Sequence, residues 1–121
     1  MNGYVANIEK ETLENENFRK VLFTGPQSQL VVMMLQPQEE IGEEVHEEHD
    51  QFLRLEEGVG KAVLEGVETE IQANWAVVVP AGTKHNIINT STMEKMKLYT
   101  IYSPPEHPDG TVQRTKAEAV E

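Results

Sequence analysis

The chain has 121 residues, a length that fits one domain, and its 21 acidic and 10 basic residues give a formal net charge of −11 at pH 7. Proteins that bind nucleic acid or anionic membranes concentrate Lys and Arg along their ligand, so this charge argues against both kinds of partner. The chain contains no cysteine, which excludes disulfides, thiolate zinc sites and cysteine nucleophiles from it.

The N-terminal residues lack the basic segment and apolar run of a secretory leader, and no apolar stretch approaches the length that spans a bilayer. The absence of cysteine is typical of chains that stay in a reducing compartment. Together these features predict a soluble cytoplasmic protein whose acidic surface chiefly keeps it in solution.

The apolar residues fall in short runs separated by Gly, Pro and other turn residues, a pattern typical of β-strands. In the first half of the chain the predicted strands are Tyr4–Ile8, Phe18–Phe23, Gln29–Leu35, Glu43–His46 and Gln51–Leu55. In the second half they are Lys61–Leu64, Glu68–Gln72, Trp75–Val79, His85–Asn89 and Lys97–Tyr102. Only Glu9–Glu16 and Thr115–Val120 are predicted to be helical. This series of short strands predicts an all-β sandwich or barrel.

The alternation along these strands predicts which side chains share a face. Residues two apart on a strand point to the same side, so Glu44 and His46 lie on one face. If Gln51 points inward, the odd-numbered residues of its strand form an apolar inner face, and Phe52 and Arg54 point outward. The strand that follows the turn at residues 80–83 carries its odd-numbered residues 85, 87 and 89 on one face.

A second group of residues follows the spacing of a known motif. The second motif of the cupin family runs Gly-x5-Pro-x-Gly-x2-His-x3-Asn, and Pro80, Gly82, His85 and Asn89 match it. Asn74 stands at the opening Gly, which is a mild change because Asn tolerates a left-handed backbone. This part of the chain therefore resembles a cupin.

The first cupin motif, Gly-x5-His-x-His-x3,4-Glu-x6-Gly, is matched through its spacing. Glu44 and His46 occupy the two His positions, Gln51 the Glu position and Gly58 the closing Gly, while Gln38 stands at the opening Gly. Glu44 thus replaces a histidine and Gln51 replaces a carboxylate. The motif keeps one carboxylate and one neutral oxygen donor, with their places exchanged.

The resemblance extends from about residue 29 to residue 102, and the tail from Pro104 is similar to that of small bacterial cupins labelled mannose-6-phosphate isomerase-like. It implies an all-β, single-domain double-stranded β-helix, or jelly-roll barrel, over residues 1–121. The barrel core is expected at about 18–103, and the tail at 104–121 is expected to lie over the barrel as a tether or to trail from it. Family members are commonly homodimers. Because Phe18 and Phe52 are expected on outward faces, we predict a homodimer here.

Carried over position by position, the resemblance implies that Glu44, His46, Gln51 and His85 bind one divalent metal ion. Two imidazoles, a carboxylate and an amide oxygen suit Mn, Fe, Ni, Cu or Zn, and leave open coordination positions for water or a ligand. The alternative is that these side chains are satisfied polar residues inside the barrel. That alternative suits a lone histidine better than four motif positions together.

Two other histidines have less definite roles. His49 lies in an acidic turn and is expected to be a solvated loop residue, although it could reach the ion if Gln51 did not bind. His107 lies in a Pro-flanked loop and is expected at the surface, with a place at the barrel mouth as the alternative. The acidic residues between 39 and 50 are expected to form a solvated rim that repels anionic ligands.

Two functional classes remain open. The first is a metal-dependent enzyme that acts on a small oxygen-rich molecule by isomerase- or dioxygenase-like chemistry, with catalytic residues that the sequence does not identify. The second is a non-catalytic module that binds a small molecule or a metal. Near the motifs the cationic residues are Lys84 and Arg54, and Arg54 is expected to face outward. No extra base and no clamp for a sugar phosphate is therefore predicted.

Overall fold

The computed structural model describes residues 2–119 of the chain. In this range a short helix, α1 (Ile8–Glu14), precedes nine strands, and a 3₁₀ helix (Lys116–Ala119) follows them. The strands are β1 (Arg19–Thr24), β2 (Gln29–Leu35), β3 (Asp50–Glu57), β4 (Val59–Leu64), β5 (Val67–Gln72), β6 (Ala76–Val79), β7 (His85–Asn89), β8 (Met96–Ser103) and β9 (Val112–Gln113). No helix in the described part of the chain is long and apolar enough to cross a membrane.

The strands form two antiparallel sheets that enclose one core. The larger sheet has the order β6-β3-β8-β2-β1-β9, and the smaller one the order β5-β4-β7. One cluster of buried apolar side chains takes residues from both sheets, among them Met33, Leu53, Leu98, Ala62 and Ile87. The predicted all-β fold is therefore confirmed.

Strand register determines which side chains face this core. Gln51 pairs with Tyr102 and Val79, and the residues two and four positions further along β3 are buried, as the alternation predicts. Phe52 and Arg54 are only half-buried on the opposite face. The polar residue at position 51 thus lies at one end of an apolar inner face, where it can serve a site without disturbing the core.

The predicted strand Tyr4–Ile8 is wrong. Residues 2–7 have no regular structure, and Ile8 is the first residue of α1. Asn7 caps the helix, because its side chain accepts a hydrogen bond from the Lys10 amide, and acidic residues occupy the first turn. Local capping therefore favours the helix that was predicted at Glu9–Glu16 over a strand.

The C-terminal tail folds back over the barrel. Strand β9 pairs with β1. The Phe18 amide donates to the Arg114 carbonyl at 3.1 Å, and the Val21 amide donates to the Thr111 carbonyl at 2.9 Å. Most of the helix predicted at Thr115–Val120 is present as the 3₁₀ helix, and Val120 lies outside the described residues. The tail is thus a tether with its own strand.

The expected outward exposure of Phe18 is wrong, because its side chain is 3% exposed and belongs to the core. The returning tail pairs with β1 beside it, which a local sequence pattern does not reveal. Phe52 is half-buried against Tyr99, with ring centroids 6.1 Å apart. The exposed apolar side chains lie elsewhere in the fold, at Val59, Val67, Trp75 and Val78 among others.

Gly60 lies where the two sheets approach each other closely. It pairs with Asn89 on β7 and with Ile71 on β5. A Cβ atom added at this position would overlap the Ile88 carbonyl oxygen and the Met96 methyl group. The backbone oxygen cannot move away without breaking the ladder, so the position requires glycine.

We expect Gly60→Ala to lower the free energy of unfolding by roughly 2–3 kcal/mol, because the added methyl group overpacks a site bounded by backbone. Gly25→Ala is the matched control, since its Cβ would lie 3.4 Å from the Ser28 carbonyl oxygen, an ordinary contact. Urea unfolding followed by circular dichroism measures both. Equal stability of the two variants would contradict this account of the β4–β7 contact.

Candidate metal centre

The segment from residue 39 to residue 46 runs along the free edge of β7. The amide and carbonyl groups of Glu44 and His85 bond each other reciprocally at 2.9 Å, and the Ile41 amide donates to the Ile87 carbonyl at 2.9 Å. The strand predicted at Glu43–His46 is nevertheless absent, and Glu44 forms only an isolated bridge. Gly42, with φ of 114°, interrupts the extended backbone just before it.

This pairing brings three of the four predicted ligands together. Glu44 Oε1 lies 3.3 Å from His46 Nε2 and 4.0 Å from His85 Nε2. Potential ligand atoms of the three residues all lie within 4.8 Å of one another. The cluster consists of a carboxylate oxygen and two imidazole nitrogens, a donor set that suits a divalent transition metal.

The hydrogen bond at Nδ1 of His85 selects the tautomer in which Nε2 carries no proton. Nδ1 lies 2.9 Å from the Thr83 carbonyl oxygen, which can only accept, so Nδ1 carries the proton. Nε2 then presents a lone pair, and it is buried without a hydrogen-bond partner among the described residues. A ring held through Nδ1 with Nε2 free is the arrangement that metal-binding histidines adopt.

Gln51 provides a free oxygen at the same end of the barrel. Its side chain is 3% exposed, and its Nε2 donates to Thr100 Oγ1 at 3.0 Å. Its Oε1 is buried without a partner in the part of the chain that the structure describes. Its cross-strand neighbour Tyr102 contacts the His46 ring, with centroids 5.9 Å apart. The amide oxygen therefore lies at the same end of the barrel as the cluster.

The polar atoms of this region fit a metal better than they fit one another. His46 Nε2, Gln51 Oε1 and His85 Nε2 are all buried and lack hydrogen-bond partners within residues 2–119. Leaving a buried polar atom unpaired costs about 1–3 kcal/mol, so three such atoms, two of them beside the Glu44 carboxylate, need an explanation. A cation coordinated by the four residues would satisfy all of them.

The electrostatics of the cluster also favour a cation. Burial acts to raise the pKa of Glu44, but His46, Arg19 and His85 together bring it below its ordinary value. Contact with Glu44 raises the pKa of His46, against the opposing effect of burial. Glu44 is therefore ionised at neutral pH, which is the form that binds a metal.

His49 is not the solvated loop residue that was predicted. Its side chain is 16% exposed, and Nε2 lies 2.7 Å from Glu106 Oε1. Nδ1 lies 2.7 Å from the Pro104 carbonyl oxygen. The other oxygen of Glu106 lies 3.7 Å from His46 Nδ1. His49 thus links the tail to a cluster residue, and it is outside the Glu44–His46–His85 group.

His107 was predicted to lie at the surface. In the structure it lines the barrel mouth instead. Its ring contacts Tyr102, with centroids 5.1 Å apart, and its Nε2 is buried without a partner among the residues described. Burial, and secondly the charge of Arg19, lowers the pKa of His107 to about 4. Burial likewise raises the pKa of Tyr102 above its usual range. Both side chains are therefore neutral at physiological pH.

Arg19 is a cation inside the barrel that the sequence interpretation missed. It pairs with Met33 of β2, whose side chain is in the core, so both residues face inward. The residue is 6% exposed, and its charge affects the pKa of Glu44 and of His107. The sequence could have predicted this position, because Arg19 lies two residues before the inward-facing Val21 and residues two apart on a strand share a face.

Two motif residues have structural roles. The Asn89 amide group donates to the carbonyls of Leu35, Gln36 and Glu94, at 3.2, 3.0 and 2.9 Å, and so joins β2 to the loop before β8. Gly82 adopts a φ of 84°, and its amide donates to the His46 carbonyl at 2.8 Å. These contacts hold the two motif segments in register around the cluster.

Comparisons with known proteins agree with this geometry. A family profile described as a cupin domain matches residues 31–102, which is more than half of the chain. Two relatives are described as uncharacterized proteins: L612 of Acanthamoeba polyphaga mimivirus, 43% identical over 112 residues, and YrkC of Bacillus subtilis (strain 168), 45% identical over 123 residues. The matches cover 90% and 97% of this chain, which spans 70% and 66% of those proteins. The crystal structure of BH2720 from Bacillus halodurans has a TM-score of 0.93 and 45% identity, over 96% of this chain and 92% of that one.

The low pKa of His107 predicts a contribution to acid sensitivity. The unfolded chain binds a proton at this residue near pH 6.5, whereas the folded protein does so only near pH 4. The unfolded state therefore binds more protons between these values, and the free energy of unfolding falls as the pH falls through this range. Between pH 7 and pH 5 we expect the free energy of unfolding of wild type to fall by about 1 kcal/mol more than that of His107→Gln. The partial exposure of the His107 ring keeps the difference below its full value. Urea unfolding of both proteins in chelator measures this, and parallel pH profiles would refute it.

Proposed function

This chain belongs to the cupin family, and from that premise we propose that its barrel holds one divalent metal ion bound by Glu44, His46, Gln51 and His85. The convergence of two buried imidazole nitrogens on an ionised carboxylate carries the proposal, and the unpaired amide oxygen of Gln51 supports it. The mixed nitrogen and oxygen donors suit Mn, Fe, Ni, Cu or Zn. Four protein ligands leave room for a small molecule in a five- or six-coordinate site.

We propose that this protein acts as a metal-dependent enzyme on a small oxygen-rich molecule, with isomerase- or dioxygenase-like chemistry. A divalent ion at these ligands would supply Lewis acidity toward the oxygen atoms of that molecule. The neutral Tyr102 phenol can donate a hydrogen bond to it, and the His107 ring can position it. The His49–Glu106 pair, held by the tail, keeps the His46 ring oriented.

A non-catalytic binding module is the second candidate, and one observation favours it. A general base works best with a pKa near the operating pH, and His107, with a pKa of about 4, is a weak base at neutral pH. His107 thus suits ligand binding better than proton abstraction. Turnover of a small-molecule panel by metal-loaded protein, compared with binding of the same panel, distinguishes the two functions.

The tail beginning at Pro104 supports a place among the small cupins labelled mannose-6-phosphate isomerase-like, and we propose that subgroup without its substrate. The relatives described above carry no assigned activity that would name one. A cytoplasmic location remains our proposal from the cysteine-free composition. The same acidic composition argues against nucleic acid as a partner.

We expect His46→Ala and His85→Ala each to lower the affinity for Zn²⁺ by more than about 100-fold, because each removes a direct nitrogen ligand. His49→Ala is the control: it removes a neighbouring imidazole that only orients the site, so affinity should fall by about tenfold at most, with stoichiometry unchanged. Elemental analysis after dialysis and competition with a chelating dye measure both quantities. Loss of metal in His49→Ala together with its retention in Gln51→Ala would show that our ligand assignment is wrong.

We also propose that the chain forms a homodimer through the open edges of β5 and β6. Val67, Trp75 and Val78 are 67%, 46% and 62% exposed there, and contiguous exposed apolar surface marks interfaces. Light scattering at micromolar concentration should give twice the 13.7 kDa chain mass, and Val78→Lys should give the monomer. Met93→Lys, at an 82% exposed position away from these edges, should remain dimeric. A monomeric wild type would refute the proposal.

A further inference from the structure

A guanidinium group lies inside the barrel with part of its hydrogen-bonding capacity unused. Arg19 is 6% exposed, and its Nε is buried without a hydrogen-bond partner among residues 2–119. Its Nη1 donates to Gln113 Oε1 at 2.8 Å, which leaves Nε without an acceptor. Most buried polar groups are paired, so the unpaired Nε can take a further acceptor.

This edge belongs to the same interior as the candidate metal centre. The Arg19 charge acts on Glu44, on His46 and on His107, and the guanidinium also interacts with the Tyr102 hydroxyl. The Tyr102 ring contacts the His46 ring, with centroids 5.9 Å apart, and the His107 ring, with centroids 5.1 Å apart, so it is near both the metal ligands and Arg19. A small molecule held beside Tyr102 could therefore meet the metal ligands on one side and Arg19 on the other.

The charges of this interior favour an anion once a metal is bound. Glu44 carries one negative charge and Arg19 one positive charge, and Glu106 is paired with His49 at 2.7 Å. A divalent ion at the proposed ligands would leave the interior positively charged, and a bound carboxylate would reduce that charge. A guanidinium edge also matches the planar, two-oxygen geometry of a carboxylate.

We propose that Arg19 and Tyr102 form an anion subsite that binds the carboxylate of a small hydroxy- or keto-acid, with the neighbouring hydroxyl or carbonyl oxygen facing the candidate metal centre. The second part of this proposal rests on the proposed function. The first part does not, because it rests on the unpaired Nε of Arg19.

A purely structural Arg19 is the competing explanation. The guanidinium lies 5.1 Å from the centroid of the Phe18 ring and bonds Gln113, so it could simply hold β9 against β1. The two explanations differ in their effect on stability without ligand. Replacing a buried, incompletely paired charge by an apolar side chain of similar size is often neutral or stabilising, whereas loss of a structural tie is destabilising.

The probes are glycolate and its neutral analogue glycolamide, titrated calorimetrically into the Co²⁺-loaded full chain. Wild type should bind glycolate at least tenfold more tightly than glycolamide. In Arg19→Met that preference should disappear, while Co²⁺ stoichiometry and the melting temperature without glycolate stay at or above the wild-type values. Arg54→Met is the matched control: it removes the same charge from the outer face, where Nη2 bonds Asn74 at 3.0 Å, and should keep the preference.

Equal affinity of wild type for the two probes, or no binding of glycolate at millimolar concentration, would overturn the anion subsite without any variant. An unchanged preference in Arg19→Met would overturn it as well. If Co²⁺ does not bind but the metal-free protein still prefers glycolate in an Arg19-dependent way, the subsite stands and the metal proposal fails. If Arg19→Met does not fold, Arg19→Lys provides the second test, since it keeps the charge but loses the two-donor edge and should weaken glycolate binding at least tenfold.

Discussion

The reciprocal backbone hydrogen bonds between Glu44 and His85 are the constraint on which the site depends. They join the segment before β3 to the free edge of β7, although that segment forms no regular strand. Because directly paired residues on antiparallel chains point to the same face, the two side chains meet inside the barrel. His46 lies two residues after Glu44 and therefore points to the same face. The Gly82 amide donates a hydrogen bond to the His46 carbonyl.

The all-β class could be predicted from local patterns, and the three residues of the cluster from the resemblance to the cupin motifs. Alternation along β3 and β7 placed Gln51 and His85 on inner faces, and motif spacing brought Glu44 and His46 beside them. The sequence predicted less well wherever distant segments decide the outcome. Tail residues such as His107 reach the site because the Gln29 side chain, 78 residues away in sequence, bonds the His107 backbone. The capped N-terminal segment also showed that one Asn can outweigh an apolar run.

The interior combines an apolar half that stabilises the fold with a polar half that does not. Met33, Leu53 and Leu98 pack tightly in the core, whereas the donor atoms near the mouth lack partners within the described range. A sequence selected for stability alone would fill this end of the barrel with apolar side chains or fully paired ones. The concentration of unpaired atoms at one end therefore points to a ligand-binding function, and the compact core explains how the fold tolerates it.

The barrel and the returning tail contribute different residues to the site. The barrel strands and the segment beside β7 carry Glu44, His46, Gln51 and His85, whereas the tail supplies Glu106, His107 and the Gln113 side chain that holds Arg19. The tail carries few core residues. A change at Glu106, His107 or Gln113 would therefore alter what the site presents to a small molecule, while the four candidate metal ligands stay the same.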